Sequence, residues 1–153
     1  MSNTYTQILI QYVFAAKYRE SLITDELRIP LEKYICGIIG NNHHKPLAIY
    51  CMPDHCHILV GINPSQSISD LARDIKSNSS KWLNEHYFKN SKFKWQEGFG
   101  AFSYAKSQLN VVVKYILNQP QHHQKQTFKE EYIDFLQKFN VQYDSQYLFD
   151  WIE

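Results

Sequence analysis

His55 and His57 are separated by one residue, Cys56. Along an extended strand successive side chains point to opposite faces, so two imidazoles at this spacing project side by side and can grip one metal ion. Cys51 lies just upstream, and a Cys51–His55–His57 zinc set is a second way to use the same pair. Further along, Tyr115 and Gln119 stand four apart and share one helical face, with Gln108 and His122 on roughly the same side. Taken singly, each pattern is ordinary. A His-x-His is common without metal, and a helix tyrosine is more often an interfacial aromatic. Asp54 beside Pro53 reads as a turn residue or an outer partner of a ligand, the turn being favoured, and His122 and His123 as solvent-facing.

The elements that would carry these residues follow from periodicity. Residues 7–14 read as a strand with Ile8, Ile10, Tyr12 and Phe14 on one face and Gln7, Leu9, Gln11 and Val13 on the other. Acids follow Thr24, and Leu31, Tyr34, Ile35, Ile38 and Ile39 repeat at helical spacing. Pro30 predicts that the regular helix begins there. Residues 45–52 and 55–62 form a hairpin around Pro53-Asp54, with Cys56, Ile58, Val60 and Ile62 facing away from the histidines. A second helix runs from Ser67, a capped start, to about Tyr87. A loop near residues 89–94 precedes a strand over 93–104, broken by Gly98 and Gly100. Helices over 107–119 and 128–139 complete the chain, the first with Leu109, Val112, Val113 and Ile116 as its buried stripe. The order β-α-β-β-α-β, then α-α, is that of an α+β, ferredoxin-like split βαβ sheet with helices on one face. One domain over residues 1–153 is expected, with a core over 1–105 and an appended helical part over 106–153. Such a fold hosts many activities and decides none.

Composition narrows the class. The chain has 153 residues, 44% hydrophobic and 15% aromatic, with formal net charge +1, which excludes the disordered class. Three cysteines make no disulfide framework and, with no apolar leader or span, suggest a cytoplasmic, non-membrane setting. The charge is unevenly spread. Residues 98–129 carry Lys106, Lys114, Lys125 and Lys129 and no acid, whereas residues 130–153 carry six acids against Lys138 alone. A basic stretch followed by an acidic tail is either a pair of solvated faces or a footprint for a polyanion.

The segment Pro53-Asp54-His55-Cys56-His57-Ile58-Leu59-Val60 resembles the His-hydrophobe-His motif of HUH endonucleases, and Lys114-Tyr115-Ile116-Leu117-Asn118-Gln119 is similar to their Tyr-x-x-x-Gln helix. Asp74-Ile75-Lys76-Ser77-Asn78-Ser79-Ser80 resembles a recurring Lys/Ser stretch of the same group. The likeness extends from about Tyr5 to Tyr143 and is to single-tyrosine HUH transposases of the insertion-sequence-200-like class. Cys56 departs from the usual bulkier aliphatic residue. Pro120 also departs, lacking an N–H and biasing Gln119 away from helical geometry.

The resemblance implies a transposase that cleaves and rejoins single-stranded DNA through a 5′-phosphotyrosine, acting at hairpin-containing element ends as a homodimer. It assigns Tyr115 as nucleophile, and His55, His57 and Gln119 as ligands of Mg²⁺ or Mn²⁺. Lys76, Lys81, Lys106 and Lys114 then suit phosphate contacts, while Trp82 and Trp95 are either core or base-stacking residues. The competing expectation is a non-catalytic, domesticated module that binds single-stranded nucleic acid on exposed sheet-face aromatics.

Overall fold

The computed structural model describes residues 3–90 and 92–152. Strand β1 spans Leu9–Ala15, helix α1 Asp25–Asn41, β2 Lys45–Cys51, β3 His55–Gly61, α2 Ile68–His86 and β4 Gly100–Tyr104. Three helices follow: α3 over Leu109–Leu117, α4 over Gln119–His122 and α5 over Phe128–Lys138. The four strands form one antiparallel sheet in the order β2-β3-β1-β4, the strand order of a ferredoxin-like split βαβ unit.

Alternation gives the sheet two faces. Ile10, Tyr12 and Phe14 of β1 and Cys56, Ile58 and Val60 of β3 join Leu27, Leu31, Ile35 and Ile39 of α1 and Leu71, Ile75 and Leu83 of α2 in one core. The opposite face is also covered, contrary to the expectation of helices on one side only. Val112 and Ile116 of α3 pack on Leu9 and Leu59. Phe128, Tyr132, Phe135 and Leu136 of α5 pack on Val13, Ala15 and Phe102. The appended helices thus complete a second core, and among the described residues no aromatic sheet face remains open for bases.

Three boundaries differ from the sequence reading. Helix α1 starts at Asp25 and runs through Pro30. Its apolar stripe begins a turn earlier, at Leu27, which is 3% exposed. Burying that side chain offsets the one backbone bond Pro30 cannot donate, its would-be acceptor Glu26 lying on the exposed side. The last strand is only Gly100–Tyr104. Upstream, Trp95 makes a single bridge to Ala16, and Gly98, at φ 78°, turns the chain away. At Gly100 the backbone passes so close to Tyr132 that a Cβ would lie 2.8 Å from its ring and hydroxyl. The third helix is interrupted at Asn118, where φ −99° and ψ 20° close α3 and open α4 with Pro120 in its first turn.

The tightest part of the first core should show in stability. Leu31→Ala empties a site that is 0% exposed. It is expected to lower unfolding free energy by about 2–5 kcal/mol at an unchanged urea m-value. A loss below ~1 kcal/mol in urea titration would contradict this packing.

Candidate active site

The sheet face beneath α3 and α5 is apolar except at its centre. Gln11, His55 and His57 from the strands, Gln119 from α4 and Glu131 from α5 are all buried there, none more than 2% exposed. Each is delivered by a local rule. The β2–β3 turn places His55 opposite Ala15 and His57 opposite Val13 on β1, so both rings point to the face that Leu9, Gln11 and Val13 share. The turn is anchored by the Ala16 N–H donating to the Asp54 carbonyl at 2.8 Å. Helix α5 is started by Thr127, whose hydroxyl accepts the Glu130 N–H at 3.1 Å while the Glu130 carboxylate accepts the Thr127 N–H at 3.0 Å. Those backbone and side-chain bonds from Thr127 hold the exposed Glu130 carboxyl below its ordinary range. Glu131, next along, turns inward among Phe128, Tyr132 and Phe135.

The kink at Asn118 decides where Gln119 goes. Its side chain swings under the sheet, with Oε1 3.1 Å from His55 Nε2 and Nε2 donating to Glu131 Oε2 at 2.9 Å. Tyr115, half-buried on α3, donates its hydroxyl to the same Glu131 oxygen, and its ring centroid lies 6.0 Å from that of His57. Glu131 Oε1 lies 3.0 Å from His57 Nε2 and 3.7 Å from His55 Nε2. Phe128 stacks on His55 at 3.9 Å between centroids with planes 4° apart, fixing that ring.

Donor and acceptor bookkeeping shows what the centre is built to hold. His55 Nδ1 lies 2.7 Å from Asp54 Oδ1 and donates to it. Gln11 spends its amide N–H on the Tyr104 hydroxyl at 2.7 Å, so its Oε1 accepts from His57 Nδ1 at 2.7 Å. In neutral rings with Nδ1 protonated, each Nε2 carries a lone pair. Those lone pairs face oxygens, Gln119 Oε1 for His55 and Glu131 Oε1 for His57. Like poles at ~3 Å need a cation between them, either an added proton or a metal. Burial pushes the His57 ring below its ordinary pKa, against the pull of Glu131. The donors therefore fit a divalent ion. His55, His57 and Glu131 group their ligand atoms within 4.8 Å of one another, and Gln119 Oε1 adds a fourth.

The electrostatics follow the same contacts. Burial raises the Glu131 carboxyl, but His57, His123 and His55 outweigh it and hold the group well below the usual carboxylate range. Burial, then Glu131, push the Tyr115 phenol well above its ordinary value, so at neutral pH it is protonated. Burial lifts Tyr104 to about 12. A cleft of about 440 Å³ between α3 and α5, walled in part by Val111, Val112 and Phe135, opens onto Tyr115 and Glu131.

His55, His57, Tyr115 and Gln119 thus meet within one chain. The four lysines do not join them. Lys81, Lys106 and Lys114 are exposed, and Lys76 donates to the carbonyls of Gln96 at 2.6 Å and Gly98 at 2.8 Å. Cys51 is buried in the opposite core, so a Cys51–His55–His57 zinc set is not formed. Asp54 is both turn residue and His55 partner. Trp82 is half-buried, stacked on Tyr34 at 4.7 Å, and Trp95, 7% exposed, belongs to the first core. Sequence reasoning missed Glu131, Gln11 and His123. Glu131 had a signal, a carboxylate on the apolar stripe Phe128–Tyr132–Phe135. Gln11 had another, its place on the histidine face of β1. His123, read as solvent-facing, lies with its Nε2 3.0 Å from Gln119 Oε1.

A sequence profile of the family described as IS200-like transposases matches residues 4–119. The ISDra2 transposase TnpA of Deinococcus radiodurans is 27% identical over 75 residues, covering 49% of this chain and 54% of the relative. The chain thus matches about half the length of that relative. Among solved structures, a chain from D. radiodurans R1 assigned as a transposase superposes with TM-score 0.62 at 21% identity, covering 78% of this chain and 95% of the other. The REP-associated tyrosine transposase bound to a REP hairpin superposes with TM-score 0.59 at 17% identity, covering 80% and 73% respectively. At these identities both structures speak for the fold.

Glu131→Ala leaves the Tyr115 hydroxyl and the Gln119 amide without their acceptor. The metal-free protein should lose at least about 1–3 kcal/mol. The sign with pH follows from the depressed carboxyl. Its stabilisation is complete above the unfolded glutamate value of about 4.3 and is lost as pH falls through the folded one. In urea titrations from pH 7 to 3, the margin of wild type over Glu131→Gln should shrink on acidification. A margin that widens would contradict an ionised Glu131.

Proposed function

The chain belongs to the IS200-like transposase family, and from that premise we propose that it cleaves and rejoins single-stranded DNA with Tyr115 as nucleophile. The observation that carries this reading is the meeting of the Tyr115 hydroxyl with the His55–His57 pair through one carboxylate, Glu131. His55, His57, Gln119 and Glu131 would hold the divalent ion, Mg²⁺ or Mn²⁺ in the family's pattern. When bound, such an ion polarises the scissile phosphate and offsets charge developing on its oxygens.

The chain's own groups do the rest. Glu131 Oε2 accepts the Tyr115 hydroxyl bond, so the phenol is oriented and its proton has a defined first acceptor. The Tyr115 oxygen bonds to phosphorus as the bond to the 3′ oxygen breaks. The phenol gives up its proton and the departing 3′ oxygen takes one up. The product is a 5′-phosphotyrosine and a free 3′-hydroxyl. The phosphodiester is exchanged rather than hydrolysed, so a DNA 3′-hydroxyl can attack in reverse and join strands. Asp54 and Gln11 keep the two imidazoles in the required tautomer. The cleft beside Tyr115 is the entry for a strand. Exposed Lys81, Lys106 and Lys114 would track its phosphates, and Lys76, on α2 at the other face of the sheet, supports the loop near residues 96–98. One tyrosine holds one strand end, so moving an element with two ends suits a homodimer whose hairpin-bearing ends are each held by one copy.

Incubation of the protein with labelled single-stranded, hairpin-containing DNA and Mn²⁺ should yield a covalent adduct that survives denaturing electrophoresis. Tyr115→Phe and addition of EDTA should each abolish it, and His57→Ala should do the same with DNA binding retained. An adduct persisting in Tyr115→Phe would move the nucleophile elsewhere. Binding without cleavage under any divalent ion would favour a domesticated binding module.

A further inference from the structure

His123 stands four residues after Gln119, on the same side of the short turn of α4 and at its end. It is not solvent-facing: its side chain is 11% exposed. Its Nε2 lies 3.0 Å from Gln119 Oε1 and 3.1 Å from Glu131 Oε1, the two oxygens that the Nε2 atoms of His55 and His57 face. Its ring centroid is 4.6 Å from that of His55. All three imidazoles thus aim Nε2 at one pair of oxygens, and Asp54 and Gln11 fix two of the rings through Nδ1.

We propose that His123 is a third imidazole ligand, so that the centre is a three-histidine, one-carboxylate, one-amide site selective for a first-row transition-metal divalent ion over Mg²⁺. The inference deepens the reading above and rests on it. Four of the donor pairs lie 3.0–3.1 Å apart, the edge of an octahedron with bonds of about 2.1 Å. The tightest group is His55, His57 and Glu131, with His55 Nε2 3.7 Å from Glu131 Oε1, and His123 joins it through the two shared oxygens. Mg²⁺ keeps oxygen ligands and several waters, whereas imidazole nitrogen suits transition ions. Five protein donors leave one position, enough for a single phosphate oxygen. The kink at Asn118 then has a further purpose, since it turns Gln119 and His123 together towards the strands.

Co²⁺ and Mg²⁺ serve as the probes, with affinity read by calorimetry and the Co²⁺ site by its visible absorption. In the full chain, His123→Ala should weaken Co²⁺ binding at least about tenfold, the size that losses around a metal's ligands commonly reach. It should change Mg²⁺ binding by much less, and it should shift the absorption bands. Free imidazole should restore both the affinity and the wild-type spectrum, which a merely structural role for His123 would not allow. Unchanged Co²⁺ affinity and spectrum in His123→Ala, with binding abolished in His55→Ala, would overturn the role of His123 and leave the His55–His57 reading standing. Unchanged binding in both variants would overturn both.

Discussion

A carboxylate removed from water must be met by hydrogen-bond donors or by a cation, and the architecture around Glu131 is the consequence. The group is 2% exposed and has Tyr115, Gln119, His57 and His123 within hydrogen-bond distance. An isolated buried charge would cost several kcal/mol. Here its charge is shared among contacts from α3, α4 and β3, so one residue of α5 ties four elements together. The Tyr115 hydroxyl and the imidazoles come together through that carboxylate.

The supporting structure is organised to keep α5 on the sheet. Phe149 and Trp151 of the C-terminal segment pack on Phe128 and Tyr132. Gln96 closes the segment with a reciprocal pair: its amide donates to the Asp150 carbonyl at 2.6 Å and its Oε1 accepts the Asp150 N–H at 2.6 Å. The same amide also donates to the Ala16 carbonyl at 2.9 Å, tying the tail to the end of β1. The second core is thus a clamp that holds one charged side chain against two rings. Its apolar contacts supply the stabilisation, and its polar groups gather at its centre.

Much of this was legible in the sequence. Alternation along residues 7–14 and 55–62 gave the right faces, because a covered antiparallel sheet enforces period two. The His-x-His and Tyr-x-x-x-Gln spacings named four of the residues that meet. What stayed hidden depended on tertiary placement. Pro30 was read as a helix start because local backbone preference points that way, yet the buried Leu27 one turn earlier prevailed. Residues 93–99 have strand composition but form a single isolated bridge, Trp95 to Ala16 just beyond β1. Glu131 and His123 lie beyond the recognisable motif, and their roles exist only once the break at Asn118 and the packing of α5 on the second face are known. Pro120, which biases Gln119 away from a regular helix, belongs to the turn that aims it.

The central claim is that these side chains form one divalent-ion site beside the Tyr115 hydroxyl. Crystals grown with Mn²⁺ and examined by anomalous scattering test it most directly. The account predicts a single strong peak about 2.1 Å from His55 Nε2 and His57 Nε2, with Glu131 and Gln119 oxygens turned onto it and the phenol oxygen within reach of a phosphate bound there. A map with no peak between those rings, and Glu131 still hydrogen-bonded to Tyr115 at saturating Mn²⁺, would contradict it.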